Sequence, residues 1–501
     1  MQLIASTGIG SNHLKLALAL IAGALLPLAF APFGLFFVAP LSFAALMLAW
    51  TRALPRDAFV RGFGFGITSF LAGMYWLYIS IHGFGNAPPI VAALAMAALI
   101  AILALFPAFV GWATARWDGL DSAASWLVVI PALWVLTEWC RGWVFSGMGW
   151  LAAGYSQSDS WLMGFAAVGG IHAMSWCVLV TAGAIVTVLR EPIRAKQAAL
   201  GTLIAVWVSG YFLVQQRWTR PDSAVVSVGL VQGAVPQDLK WQPSQFNDTL
   251  SLYRRLTEEA AGSDLIIWPE AAIPALYDRI GDYLDGIRAM AARSGSHVLL
   301  GTLRASPETG AVQNALVALD SPPSFYVKRH LVPYGEYFPV PNFVRNWLRL
   351  LELPYTDISP GAADQPPIAI AGQSLAVTIC YEDLFGAEQL HYLPEATLLV
   401  NVSNDAWFGD SIAPHQHLEI ARVRAAEVGR YLLRSTNTGI TAIVDPSGRI
   451  VAESPQFEPA VLKGAVQGHA GNTPYALWGN FAVVSLALAA LMFVRMMRRG
   501  V

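Results

Sequence analysis

Charge is sparse in the first 221 residues of this 501-residue chain, and that scarcity limits the fold more than any motif does. Up to Pro221 the only acids are Asp57, Asp118, Asp121, Glu138, Asp159 and Glu191. A hydrocarbon layer about 30 Å thick is crossed by about 20 apolar residues of helix. Seven stretches of that kind precede the charged region, at 13–31, 33–50, 62–81, 89–115, 126–145, 165–189 and 198–214, and an eighth runs over 474–497. Between Asp222 and about Gly471 the charge density is that of a water-facing domain. The expected order is therefore transmembrane helices 1–7 over 1–221, a soluble domain over 222–471, and an eighth helix with a short tail over 472–501. The whole chain is 55% hydrophobic and 13% charged, whereas soluble domains carry about 25% charged residues. Its net charge of −2 gives no support for a nucleic-acid partner.

Basic residues orient the spans, because Lys and Arg stay on the cytoplasmic side. Arg52, Arg56 and Arg61 lie between the second and third stretches, Arg190, Arg194 and Lys196 between the sixth and seventh, and Arg495, Arg498 and Arg499 after the eighth. An inward N-terminus puts all three clusters inside and delivers 222–471 to the outside; Arg141, Arg217 and Arg220 are the exceptions. Lys15, the apolar run after it and Ala29-Phe30-Ala31 resemble a secretory leader, but Pro32 stands where cleavage would fall, so a retained first span is expected. Glu138 and Arg141, three apart on the fifth stretch, are expected to pair at the interface, the alternative being a contact for a lipid head group at the mouth of a site.

The soluble region alternates short β-rich runs with helical ones, which argues for an α/β layered domain. Strands are expected at 225–231, 264–268, 297–303, 315–319, 375–379 and 397–402, and helices at 253–260 and 420–428. A hairpin is expected over 441–451 around Asp445-Pro446-Ser447-Gly448. Cys140, Cys177 and Cys380 match neither a disulfide framework nor a zinc pattern, and no Gly-rich phosphate loop is present. No metal and no cofactor is expected.

Three short motifs carry chemistry. In Ile267-Trp268-Pro269-Glu270 a carboxylate follows an apolar strand that the proline ends. In Tyr326-Val327-Lys328 a lysine follows an apolar-aromatic run and precedes Pro333-Tyr334-Gly335-Glu336. In Val377-Thr378-Ile379-Cys380-Tyr381-Glu382-Asp383 a cysteine ends a β-branched strand, where a tight turn would expose its sulfur. Singly, these are a rim carboxylate, a solvated lysine and a small buried hydrophobe. Together they supply what a cysteine nucleophile lacks: a base, and a positive charge that favours thiolate and holds an oxyanion.

These three motifs in this order resemble the nitrilase (carbon–nitrogen hydrolase) superfamily, and with eight spans around them the chain resembles its membrane-bound apolipoprotein N-acyltransferase family. The resemblance implies an αββα sandwich, with Glu270 as base, Lys328 as oxyanion-stabilising cation and Cys380 as nucleophile. It marks Glu336, Tyr381 and Glu382 as supporting residues, and Trp241 as a tryptophan on a mobile loop. It further implies acyl transfer from a phospholipid, phosphatidylethanolamine in the family, through a cysteine thioester to the N-terminal amine of a diacylated apolipoprotein. The setting would be the bacterial inner membrane, with the catalytic domain in the periplasm.

Phe343, Val344, Trp347, Leu350 and Leu351 recur at roughly helical spacing with Arg345 and Arg349 between them. That pattern fits either an interfacial lid, for which Phe343, Trp347 and Leu351 are the candidates, or a helix packed on the domain core. The resemblance implies a wall of the site at Asn401-Val402-Ser403-Asn404-Asp405 and on to Gly409, while the residues themselves suggest an Asx-rich turn at Asn404 and Asp405, which is the reading expected here. Two rivals remain open at this point: a tethered amidase with water as acceptor, and a transporter or scaffold whose soluble domain only binds.

Overall fold

The computed structural model describes residues 9–117, 119–337 and 358–499. Two compact units emerge, one of Met1–Arg217, Ser411–Glu419 and Thr473–Val501, the other of Trp218–Asp410 and Ile420–Asn472.

In the first unit all eight apolar stretches contain helix, yet the expected count of about eight spans is not reached. Among the described residues, five helical stretches are long and apolar enough to cross a membrane: Asn12–Ala29, Pro89–Trp117, Trp161–Arg190, Ile193–Gln215 and Phe481–Arg498. A sixth is added if Pro55–Gly73 and Trp76–Phe84, bent by 58° at their junction, count as one. The remaining two are short for local reasons. The helix Val38–Trp50 has only 13 residues, about 20 Å at 1.5 Å per residue, because a turn around Gly34 (φ +65°) takes up the start of that stretch. The other opens as a five-residue π segment, Ser125–Val129, and continues as the 12-residue helix Ile130–Arg141. Pro131 stands at its second position, where a missing N–H disturbs the α ladder.

Glu138 and Arg141 are buried, and they do not form the expected pair. Glu138 Oε1 accepts from Trp134 Nε1 at 2.9 Å and from the Ala153 N–H at 2.8 Å. Arg141 donates to the Trp150 carbonyl at 2.6 Å. Each charge hydrogen-bonds tryptophan or main-chain groups rather than the other.

The second unit is built on two sheets. The first holds β1 (Arg220–Gln232), β2 (Leu265–Ile267), β3 (Ile273–Leu276), β4 (His297–Ala305), β5 (Val312–Ala318), β6 (Ser324–Val327) and β13 (Ala460–Ala470), in the order β13-β1-β2-β4-β5-β6 with β3 beside β4. The second runs β12 (Ile450–Glu453), β11 (Ala442–Val444), β10 (Leu432–Thr436), β9 (Leu398–Ser403), β8 (Gln373–Ile379), β7 (Ile368–Ile370). In each, a parallel centre carries antiparallel edges: β1, β2 and β4 are parallel in one, β8, β9 and β10 in the other. Helices Phe246–Glu259 and Gly281–Arg293 cover the first sheet, burying Tyr253, Leu256, Leu284 and Ile287 with Ile266, Trp268 and Val298. Across the sandwich, the Ser435 hydroxyl on β10 donates to main-chain oxygens of Val231 (2.8 Å) and Ile267 (3.2 Å). The hairpin forms as expected, with β11 antiparallel to β12.

One glycine shapes the loop that leaves β2. Trp268 N–H bonds Leu299 O and Ala272 N–H bonds Gly301 O, both at 2.9 Å, so Pro269–Ala271 arches directly over Gly301. A Cβ at Gly301 would meet Glu270 Cα and Ala271 N at 2.8 Å, with the Pro269 carbonyl nearer still. Gly301→Ala should therefore destabilise the unit by about 1–3 kcal/mol, read as a lowered melting midpoint of the detergent-solubilised protein; an unchanged midpoint would show that the arch has room.

Candidate active site

Parallel strands put their carboxyl ends on one edge, and side chains just past those ends gather there. Glu270 lies three residues beyond β2, Lys328 directly after β6, Cys380 directly after β8 and Asn404 directly after β9. In this way residues more than a hundred positions apart enter one cluster.

The cluster centres on Lys328, whose side chain is 1% exposed. Its Nζ lies 3.2 Å from Glu270 Oε1 and 2.8 Å from Glu336 Oε1. Burial disfavours the ammonium, but the two carboxylates outweigh it and hold the Lys328 pKa well above the ordinary lysine value. Glu270 is fixed at both oxygens: Oε1 also accepts from Asn314 Nδ2 at 2.7 Å, and Oε2 accepts the Asn404 N–H at 2.8 Å. Glu336 in turn accepts the Val332 N–H at 2.8 Å.

Cys380 begins a short 3-10 turn, Cys380–Leu384, and takes φ +54°. A non-glycine residue held there costs of order 1–3 kcal/mol, a strain that recurs at functional turns. Burial pushes its thiol pKa up and the Glu270 charge adds to this, while Lys328 and a hydrogen bond with Ser403 oppose it. The resting sulfur is thus a thiol, and the positive charge does not by itself produce thiolate.

Glu382 ties the cysteine turn to the lysine strand. Its Oε2 accepts the Ile379 N–H at 2.7 Å, and its Oε1 accepts those of Arg329 (2.7 Å) and His330 (3.0 Å). The Tyr326 hydroxyl reaches both oxygens at 3.0 Å. Tyr381 is buried, with its ring edge-on to Phe385 at 5.2 Å between centroids. Trp241 is 51% exposed and follows the helix Gln237–Lys240, which touches the site from behind. The lid candidates Phe343, Trp347 and Leu351 lie outside the described residues.

Several members of this network escape the motif reading. Asn404 is no mere turn residue: besides its N–H on Glu270, its amide bonds Gln237 Oε1 at 2.8 Å and Asn437 Nδ2 at 3.0 Å. The fully buried Arg434 donates to Asp405 at 2.8 Å and to Asn401 at 2.5 Å, with Asp383 at 3.7 Å. Lys240, also buried, donates to the Glu270 carbonyl at 3.3 Å. A polar residue with helix- or strand-like neighbours gives no local sign of such a partner. Among the described residues no His, Cys, Asp and Glu cluster could hold a metal ion.

A thiol, a carboxylate and an ammonium at strand ends of two stacked sheets define a carbon–nitrogen hydrolase domain, and residues 227–475 match the family described as carbon-nitrogen hydrolase. Residues 22–184 match the apolipoprotein N-acyltransferase N-terminal domain. An apolipoprotein N-acyltransferase of Methylococcus capsulatus is 43% identical over 96% of both chains. That of Nitrosomonas europaea is 43% identical over 92% of this chain and 93% of its own. The chain belongs to the apolipoprotein N-acyltransferase family. Among solved structures, a CN-hydrolase superfamily protein from Xanthomonas campestris is similar at 20% identity and a TM-score of 0.36, covering 49% of this chain and 91% of that one. At that distance it adds nothing to the assignment.

Glu382→Gln should set an amide N–H against main-chain donors that now meet a carboxylate. A buried donor left without an acceptor costs about 1–3 kcal/mol, so the melting midpoint should fall, with Cys380 alkylation faster as its turn loosens. An unaltered midpoint and alkylation rate would remove Glu382 from this role.

Proposed function

We propose that the chain moves a fatty acyl group from a phospholipid ester, through a thioester on Cys380, to the N-terminal amine of a diacylated lipoprotein. The observation that carries this reading is the buried Glu270–Lys328 contact, 3.2 Å long, acting on a strained cysteine turn in a chain that also holds membrane-length apolar helices.

Each step follows from the charges. Because the resting sulfur is protonated, attack on the ester carbonyl requires the thiol proton to pass to Glu270 as the S–C bond forms. The oxyanion is met by the Lys328 ammonium and by the Tyr381 N–H, placed as the residue after the nucleophile. The C–O bond breaks, and Glu270 returns its proton to the departing lysophospholipid oxygen. In the second half the lipoprotein α-amine, with an ordinary pKa of about 8, attacks as the free base. Its surplus proton goes to Glu270, the C–S bond breaks, and the same proton restores the thiol. A thioester suits amide formation, since amines attack it readily.

The donor in this reading is phosphatidylethanolamine, and the acceptor carries diacylglyceryl-cysteine. The apolar parts, 1–221 and 472–501, would lie in the bacterial inner membrane, and the domain 222–471 would face the periplasm, as the positions of Arg52, Arg56, Arg190 and Arg194 favour. Trp241 and Glu336 act as supporting residues, one at the rim and one on the lysine.

Intact-mass analysis after incubation with phosphatidylethanolamine vesicles tests the first half-reaction. An acyl adduct released by hydroxylamine is expected, absent in Cys380→Ser and slowed about 10²–10⁴-fold in Glu270→Ala. Lys328→Met should slow it by about 10²–10³-fold. An adduct that persists in Cys380→Ser would end the proposal. Release of free fatty acid with no amide on an added diacylated peptide would make the protein a hydrolase instead.

A further inference from the structure

Lys240 is a buried cation beside the base that the mechanism does not use. Lys240 is 1% exposed, yet it sits beside Trp241, which is half in solvent. Its Nζ donates to the main-chain carbonyl of Glu270 at 3.3 Å. The next residue, Ala271, is held at φ +43°, so this carbonyl belongs to a strained arch. The same short helix, Gln237–Lys240, reaches Glu270 by a second route. Gln237 accepts from Asn404 Nδ2 at 2.8 Å, and the Asn404 N–H bonds Glu270 Oε2 at 2.8 Å. The helix therefore grips the base at both its main chain and its carboxylate.

We propose that Lys240 is a positioning residue for the base: its ammonium pins the Glu270 arch to the helix that carries Trp241, so that the rim tryptophan and the reacting carboxylate move as one piece. This inference rests on the acyl-transfer reading. It also gives the second ammonium a charge role. Glu270 and Glu336 share Lys328, and Lys240 adds a second buried positive charge beside Glu270. Burial lowers the Lys240 pKa to about 8, and only the Glu270 charge opposes this. Glu270 is the charged group that faces it from the loop after β2, with Lys328 and Glu336 beyond, and Asp238 shares its helix. Below about pH 8 the ammonium is present; above it the neutral amine holds the carbonyl weakly and no longer offsets the Glu270 charge.

The test follows the rate of Cys380 acyl-adduct formation by intact mass, from about pH 6.5 to about pH 9.5, with the full chain in phosphatidylethanolamine vesicles. For the wild type the rate should fall above about pH 8 by up to tenfold per unit. Lys240→Arg, which keeps its charge, should hold its rate through the top of that range. Lys240→Met should be slowed roughly 10²-fold at neutral pH, as expected for a displaced base, and should lack the alkaline fall. A wild-type rate that stays level to the top of the range overturns the proposal without recourse to any variant. So does a Lys240→Met profile that superposes on the wild type. If the wild type forms no adduct at any pH, the acyl-transfer reading fails and the inference falls with it.

Discussion

The catalytic unit depends on one ammonium ion held out of water. Taking a lysine into a protein interior costs several kcal/mol per ion, and the loss is recovered only where geometry and hydrogen bonding are nearly complete. Lys328 meets that condition through Glu270 and Glu336, and each carboxylate is then satisfied by further donors: Asn314 and the Asn404 N–H for one, the Val332 N–H for the other. The need to satisfy these charges accounts for the density of buried amides around them. It also explains why strand ends from both sheets must meet here, since no single segment carries enough donors.

Cys380 is treated differently. Its turn is strained, its sulfur is kept protonated by burial and by the Glu270 charge, and the Lys328 charge only moderates this. A permanently ionised thiolate would be exposed to every electrophile and oxidant that reached it. In the proposed mechanism, forming it only as Glu270 takes the proton confines the reactive form to the moment when a carbonyl is in place. Asp405, which adds its negative charge to Glu270's in raising the thiol pKa, is paired in turn with the buried Arg434.

Much of this was legible in the chain, and the failures have physical causes. Strand-ending Pro269 and the β-branched run before Cys380 mark their own places, because those signals are local. Alternation of strands and helices is local too, so six of the strands and the hairpin stand where the pattern puts them, while β10, with the buried Arg434 in its middle, hides as a polar segment. Partners distant in sequence leave no such mark. Nothing near Asn437 announces that it will bond Val235, 202 residues away. Apolar length overcounts spans for a related reason: hydropathy does not register the turn at Gly34 or the π segment before Ile130 that shorten two of the helices.

Glu382 carries a consequence of its own. One carboxylate takes hydrogen bonds from the end of β8 and from the residues that follow β6, which belong to opposite sheets. The sulfur and the ammonium are therefore gauged from a shared datum and not from their separate sheets. Small sliding of one sheet over the other carries both together, much as two jaws mounted on one pivot keep their gap when the frame flexes. A protein anchored in a fluctuating bilayer gains by such an arrangement, since its reacting distances need not follow the strains that its surroundings impose.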